Sequence, residues 1–279
     1  MPKNWAWAGW SGGVRVSVAD RIREFWDQDA TTYDLDAGHH PTSALVRAAW
    51  RASLQDLLPP ESARVLDVGA GTGFISLLLA ELGHRVTAVD VSSGMLGRLR
   101  AKAEAAHLMV EAIRADATMV PAGPFDVIVS RHLLWTLVDP LEALRRWRAV
   151  APEGGLVLID RTVSDRGVTQ SLRKIGHRAL DLVRSRPPAH HASYDAEVLR
   201  ALPLAQGSGP EVIVRLVTRA GWTGAEIRRL HDVDWAIAQE QPLLDRLVSD
   251  GAHFAVQAHA RSRARAVDSE DRGQLPAGA

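Results

Sequence analysis

Hydrophobic positions first fall into register at Val18, Ile22, Phe25 and Trp26, a spacing that gathers them on one face of a helix. Ser17 stands three residues before Asp20 in the manner of a capping box, so this helix starts after Ser17 and ends near Asp29. A polar loop through Tyr33 and the pair His39 and His40 leads to Pro41. A second amphipathic helix follows, its apolar face formed by Leu45, Ala48, Ala49, Leu54 and Leu57, and Pro59 and Pro60 stop it. Beyond Pro60, short apolar runs alternate with helical periods. Strands are expected at 64–68, 85–89, 109–113, 125–129 and 155–160, with helices near 72–82, 93–106 and 139–150. Later come a helix at 210–220, a strand at 224–230, a helix at 236–248 and a closing strand at 253–259. This alternation predicts an α/β fold with a doubly wound, Rossmann-like, mostly parallel sheet of seven strands.

Residues 162–209 break the rhythm with a basic helical segment, the run Pro187-Pro188-Ala189-His190-His191, a short helix and a glycine-rich turn. They read as a helical cap inserted over the C-terminal edge of the sheet, where open α/β sheets bind their ligands. The chain therefore divides into a flexible N-terminus (1–17), an N-terminal helical lid (18–62), a cofactor-binding core (63–161), the cap insertion (162–209), the rest of the core sheet (210–260) and a polar, aperiodic tail (261–279) expected to be disordered. The N-terminal stretch carries Trp5, Trp7 and Trp10 among glycines, as either a disordered segment or an aromatic flap over a site.

Composition narrows the partners. The 33 basic and 33 acidic side chains cancel, so broad electrostatic binding to nucleic acid is not expected and a small molecule is. The absence of cysteine removes thiolate zinc sites, iron–sulfur clusters, disulfides and cysteine nucleophiles together. The two His-His pairs lack the companion ligands of a metal site, and no metal is expected. Apolar runs are strand-sized and the first residues lack a basic-then-apolar layout, so neither a membrane span nor a signal peptide is expected, and the predicted location is cytoplasmic. A homo-oligomer is compatible with the sequence, which does not decide it.

The chemistry concentrates at Asp67-Val68-Gly69-Ala70-Gly71-Thr72-Gly73, between a predicted strand and a predicted helix. Glycine there lets the backbone turn sharply and a ligand approach the amides. Asp90 closes the next strand, 17 residues after Gly73, where an acid can accept both hydroxyls of a ribose. Together these read as a nucleoside-cofactor site. A dinucleotide site wants G-x-G-x-x-G, whereas this loop is G-x-G-x-G with bulky Phe74 and Ile75 following. The stretch V-L-D-V-G-A-G-T-G resembles the first motif of class I S-adenosylmethionine-dependent methyltransferases, closely over 63–160 and more loosely over 18–62 and 210–260.

That resemblance implies S-adenosylmethionine as cofactor, with Asp67 and the 69–73 backbone at its methionyl end and Asp90 on its ribose. It implies that Val91 and Met95 line the adenine face, that Asp116-Ala117 meets the adenine amino group, and that Ser130 and Arg131 pass beneath the sulfonium. Trp26 and Tyr33, followed by Asp34, resemble the lid of small-molecule members, in which Tyr33 contacts the cofactor's carboxylate or the methyl donor; the other reading of the pair is a staple packing helix onto sheet. His132 is the candidate general base, or else a wall of the acceptor pocket, and Trp135 either lines that pocket or packs beneath it. His231, after the 224–230 strand, could face the same pocket. The fourth strand ends in Ser-Arg-His-Leu rather than the Asn/Asp-Pro-Pro-Tyr tetrad of enzymes that methylate an amino-bearing base or glutamine. The whole is similar to bacterial tailoring methyltransferases of natural-product pathways, which implies methylation at N, O or C of a small aromatic or cyclic-dipeptide-like acceptor. Two alternatives stay open at this point: an NAD(P)-dependent oxidoreductase on the same fold, and a cofactor-binding protein without turnover.

Overall fold

The computed structural model describes residues 17–36, 38–41, 43–162, 194–205, 209–241 and 251–260. The basic helical segment, the His190-His191 pair and the two chain-end segments expected from the sequence lie outside the described residues. Helix α1 (Val18–Asp29) is capped by Ser17, whose Oγ accepts the Asp20 N–H at 3.1 Å. Helix α2 (Ala44–Leu57) is capped by Ser43 and buries Val46, Trp50, Leu54 and Leu57. The core then alternates as β1 (Arg64–Val68), α3 (Phe74–Glu81), β2 (Arg85–Asp90), α4 (Ser93–Ala105), β3 (Val110–Arg114), β4 (Val127–Arg131), α5 (Pro140–Val150) and β5 (Gly155–Arg161). It closes with α6 (Ala196–Ala201), α7 (Pro210–Arg219), β6 (Thr223–Arg229), α8 (His231–Glu240) and β7 (His253–His259).

The seven strands form one sheet in the order β3-β2-β1-β4-β5-β7-β6. Strands β1 to β5 pair in parallel, and β7 runs antiparallel between β5 and β6. Alternate residues of the central strands face opposite layers, as a strand period of two requires. Val65, Val127, Val129 and Val157 pack with Trp50, Leu54, Ile75 and Leu78 on the side of α2, α3 and α8. Leu66, Val68, Ile128 and Leu158 pack with Leu144, Trp147, Ile213 and Val217 on the side of α5 and α7.

Several boundaries shift by one or two residues from the periodicity, and two are instructive. Strand β4 begins at Val127 rather than residue 125, because Phe125 donates instead to the Val150 carbonyl at 2.9 Å at the end of α5. Helix α8 begins at His231, five residues before the expected start, with Asp232 and Asp234 in the first turn where acids favour the helix N-terminus. The expected continuation to 248 lies outside the described residues beyond Gln241.

Helix α1 packs its apolar face on α6, where Ile22 meets Tyr194, Val198 and Leu202, and Arg21 pairs with Asp195 at 3.2 Å and Glu197 at 2.9 Å. Helix α1 and the segment around α6 therefore form one packed unit.

Candidate active site

The loop after β1 is built by glycine. Gly69, Gly71 and Gly73 hold φ of 72°, 54° and 89°, the left-handed region that L side chains rarely adopt. The Gly69 and Ala70 N–H groups donate to the Val89 carbonyl at 2.8 and 3.0 Å, which ties the loop to β2. At the end of β2 the Asp90 carboxylate accepts Gly71 N–H at 2.9 Å and Ser92 N–H at 2.8 Å. Burial pushes its pKa up, against the pull of those two N–H groups. Loop and acid thus hold one another in place around a cavity of about 340 Å³.

That cavity has a polar floor and an apolar roof. Gly69, Gly71, Asp90 and Asp116 line it from the sheet edge, and Val91, Met95 and Ala117 form a wall. Ile22 and Trp26 of α1 and Leu133 and Leu137 of the β4–α5 connection complete it. The roof is clamped down through three side chains, Asp27, Asp34 and Arg98. Asp27 of α1 accepts from Ser92 Oγ at 2.7 Å and Gly94 N–H at 3.0 Å at the start of α4. Gly94 makes this approach feasible, since a Cβ there would lie 3.0 Å from Ala30 Cβ and 3.2 Å from the Asp27 carbonyl. Asp34 accepts from Thr72 Oγ1 at 2.6 Å and pairs with Lys102 of α4 at 2.7 Å. Arg98 donates to the Thr31 carbonyl at 3.0 Å.

A smaller cavity of about 30 Å³ adjoins the first, lined by Tyr33, His39, Asp67, the 69–72 loop, Arg131 and His132. Asp67 is buried and accepts Ser76 Oγ at 2.5 Å; burial raises its pKa to about 6. Tyr33 stacks on His39 with ring centroids 4.0 Å apart, and burial raises its pKa to about 12. The Arg131 guanidinium lies over the Trp50 and Phe74 rings at 4.9 and 5.0 Å and donates to the Gly38 carbonyl at 2.6 Å, while its buried Nε has no hydrogen-bond partner among the described residues. A cation so placed attracts an anion.

His132 lines both cavities. Its Nδ1 lies 3.0 Å from Asp160 Oδ1 at the end of β5, and burial lowers its pKa to about 4. His253 of β7, whose ring centroid is 6.3 Å away, pairs with Asp234 at 2.6 Å.

Of the residues singled out in the sequence, Trp26, Tyr33, Asp67, Gly69, Ala70, Gly71, Asp90, Val91, Met95, Asp116, Ala117, Arg131 and His132 line one or both cavities. Four do not. Gly73 opens α3, and a Cβ on it would sit 2.6 Å from Leu99 Cγ, so it serves helix packing. Ser130 is buried between strands and donates to the Val68 carbonyl at 2.8 Å. Trp135 packs on Tyr194 and Trp26, with centroids 5.8 and 6.5 Å apart, beneath the lid. His231 is exposed at the start of α8, because β6 is the edge strand and lies two strands beyond β5. His39, which the sequence places only in a polar loop, stacks on Tyr33 in the smaller cavity. Sequence reasoning missed Asp27, Lys102 and Asp160, and the bond from the Thr72 side chain to Asp34. Asp160 had a signal, since it ends the apolar run Leu-Val-Leu-Ile-Asp beside the strand that delivers His132. Among the described residues, no group of three or more His, Asp or Glu is placed to hold a metal ion, and no helix is long and apolar enough to cross a membrane.

The cavity fits a nucleoside cofactor on its own geometry. A Cβ on Gly69 would meet Leu133 at 2.7 Å, while one on Gly71 would find its nearest described neighbour, Tyr33, only at 4.0 Å, so the loop leaves space for a ligand at Gly71. The family profile described as a methyltransferase domain matches residues 43–207. A ubiquinone biosynthesis O-methyltransferase of Caulobacter sp. (strain K31) is 34% identical over 136 residues, which span 48% of this chain and 53% of that protein. A demethylmenaquinone methyltransferase of Clavibacter sepedonicus is 31% identical over 192 residues, 65% of this chain and 74% of the relative. In structure, a SAM-dependent methyltransferase from Aquifex aeolicus superposes with a TM-score of 0.54 at 18% identity, over 84% of this chain and 98% of that one. A Haemonchus contortus phosphoethanolamine N-methyltransferase 2 gives 0.54 at 18% identity, over 85% and 59%; both likenesses are of fold. With the glycine loop, its acid and the family match together, the chain belongs to the methyltransferase-domain family, as a class I S-adenosylmethionine-dependent methyltransferase.

Proposed function

We propose that the protein methylates N, O or C of a small aromatic or cyclic-dipeptide-like acceptor held under the α1 lid. The observation that carries this reading is the split character of the larger cavity, with Asp90 and the glycine loop on its floor and Ile22, Trp26, Leu133 and Leu137 above. Such a mix of apolar walls and a few polar groups suits a small ligand. The relatives are named for ubiquinone biosynthesis and demethylmenaquinone, and a small acceptor agrees with both names.

Residue by residue, Asp90 takes the ribose hydroxyls of the cofactor, Val91 and Met95 its adenine face, and Asp116-Ala117 the adenine amino group. Asp67 and the 69–71 backbone take the methionyl ammonium. Arg131 and Tyr33 take its carboxylate; in support of this, both line the smaller cavity, where Arg131 supplies a cation. Bound S-adenosylmethionine supplies an electrophilic methyl on a sulfonium. The chain contributes alignment of the attacking atom and exclusion of water, which account for most of the rate in a displacement of this kind. Trp26 and Ile22 close the roof against water, and His132 accepts the proton that the acceptor loses.

A release assay for S-adenosylhomocysteine against indoles, cyclic dipeptides, phenols and amino sugars, with the methyl position read by NMR, tests this. Turnover on an indole, a phenol or a cyclic dipeptide supports the proposal. Turnover on amino sugars alone overturns the aromatic reading.

A further inference from the structure

The end of β5 adds a residue to this site. Strand register sets Arg131 opposite Ile159, so His132 and Asp160 leave adjacent parallel strands side by side. His132 is held there in the left-handed region at φ 56°, with its own N–H donating to the Ile159 carbonyl at 3.0 Å. Asp160 Oδ1 is fixed in turn by the Arg161 N–H at 2.8 Å and lies 3.0 Å from His132 Nδ1. A carboxylate beside a ring nitrogen accepts a proton-bearing one, which assigns the other nitrogen as the free lone pair. Nε2 of His132 makes no hydrogen bond among the described residues and is not among the fully buried polar atoms, on a side chain 22% exposed that lines both cavities.

We propose that Asp160 is a positioning residue for methyl transfer: it accepts Nδ1–H of His132, fixes that tautomer, and leaves Nε2 to take the proton of an acceptor O–H or N–H. This rests on the methyltransferase reading and narrows it to acceptors whose attacking heteroatom carries a removable proton. In the step, the acceptor's O–H or N–H bond breaks and its electron pair stays on the heteroatom. The proton goes to Nε2, and the resulting imidazolium sits against the Asp160 carboxylate. The groups that face His132 bear on this balance. Arg131 precedes it, His253 with its partner Asp234 stands behind it, and Arg161 follows Asp160. Burial, Arg131 and His253 disfavour a resting imidazolium, and Asp160 is the carboxylate in contact that favours the charge as it forms. His132 therefore waits neutral, in the form that can accept a proton.

The test is long-range ¹H–¹⁵N NMR of the ligand-free full chain with labelled histidine, the His132 resonances identified by their loss in His132→Gln. Wild type is expected to carry its proton on Nδ1. In Asp160→Asn the side-chain amide donates to Nδ1 and moves the proton to Nε2. In the same variant kcat is expected to fall by ~10²-fold or more with the affinity for S-adenosylmethionine unchanged. A wild-type His132 protonated on Nε2, or a tautomer that Asp160→Asn leaves as it was, overturns the proposal without a variant having to be active. Calorimetry with S-adenosylmethionine separates the two levels. Failure of the wild type to bind it overturns the functional reading, whereas a wrong tautomer in a protein that does bind it overturns the role of Asp160 alone.

Discussion

Asp90 does two things with one carboxylate: it fixes the glycine loop through Gly71 N–H and it faces the cavity. Replacing it by alanine removes charged hydrogen bonds worth ~1.5–3 kcal/mol each. Asp90→Ala is therefore expected to raise the dissociation constant for S-adenosylmethionine by about tenfold or more, read by calorimetry; unchanged affinity would remove Asp90 from the ribose. His132→Ala is expected to lower kcat by ~10²-fold or more while cofactor affinity holds. A loss confined to the acceptor KM would make His132 a wall of the pocket. The loop and Asp90 were legible in the sequence because each is a residue type at a fixed distance within one β-α-β unit. The pairings of Asp160 with His132 and of Asp34 with Thr72 and Lys102 were not, because the partners come from other strands and helices: Asp34 and Thr72 stand 38 residues apart and meet only in the fold.

At the scale of elements, the alternation of apolar positions located all seven strands, since period two and period 3.6 are properties of the local chain. The short 3-10 turns at Tyr33–Leu35 and Leu134–Thr136, and the start of α8, carry no such period and were missed or misplaced. Gly73 shows how a residue with an apparent site role can belong to packing. It holds φ 89° at the start of α3, and a Cβ there would lie 2.6 Å from Leu99 Cγ on α4. Gly73→Ala is expected to destabilise the fold by about 1–3 kcal/mol, lowering Tm by roughly 2–10 °C. Gly97, where a Cβ would find nothing within 4 Å among the described residues, is the contrast inside α4: Gly97→Ala is expected to leave Tm equal or higher. Equal losses at both positions in a thermal scan would contradict the packing role.

At the scale of the whole molecule, burial of titratable groups sets how stability follows pH. Burial lowers the pKa of His132, His40, His84 and His253, so the unfolded chain takes up protons near the ordinary histidine pKa that the folded chain refuses. Their contribution is complete above about pH 6.5 and is lost as pH falls towards the folded value of about 4 for His132. Asp67 opposes them. Burial raises it to about 6, so its contribution is full below its ordinary pKa of 3.8 and is lost as pH rises through about 6. Four histidines outweigh this acid and Asp90, and Tm is expected to rise by roughly 5 °C between pH 5 and pH 7. Asp67→Asn should steepen that rise; a flat or falling profile by calorimetry would contradict the assignment. Titrating the ligand-free protein with S-adenosylmethionine and, separately, with NADH asks whether the β1–β2 edge is built for S-adenosylmethionine. One molecule of S-adenosylmethionine per chain, displaced by S-adenosylhomocysteine, with no NADH bound, is the expected result. NADH binding at that site, or no binding of S-adenosylmethionine, would contradict it.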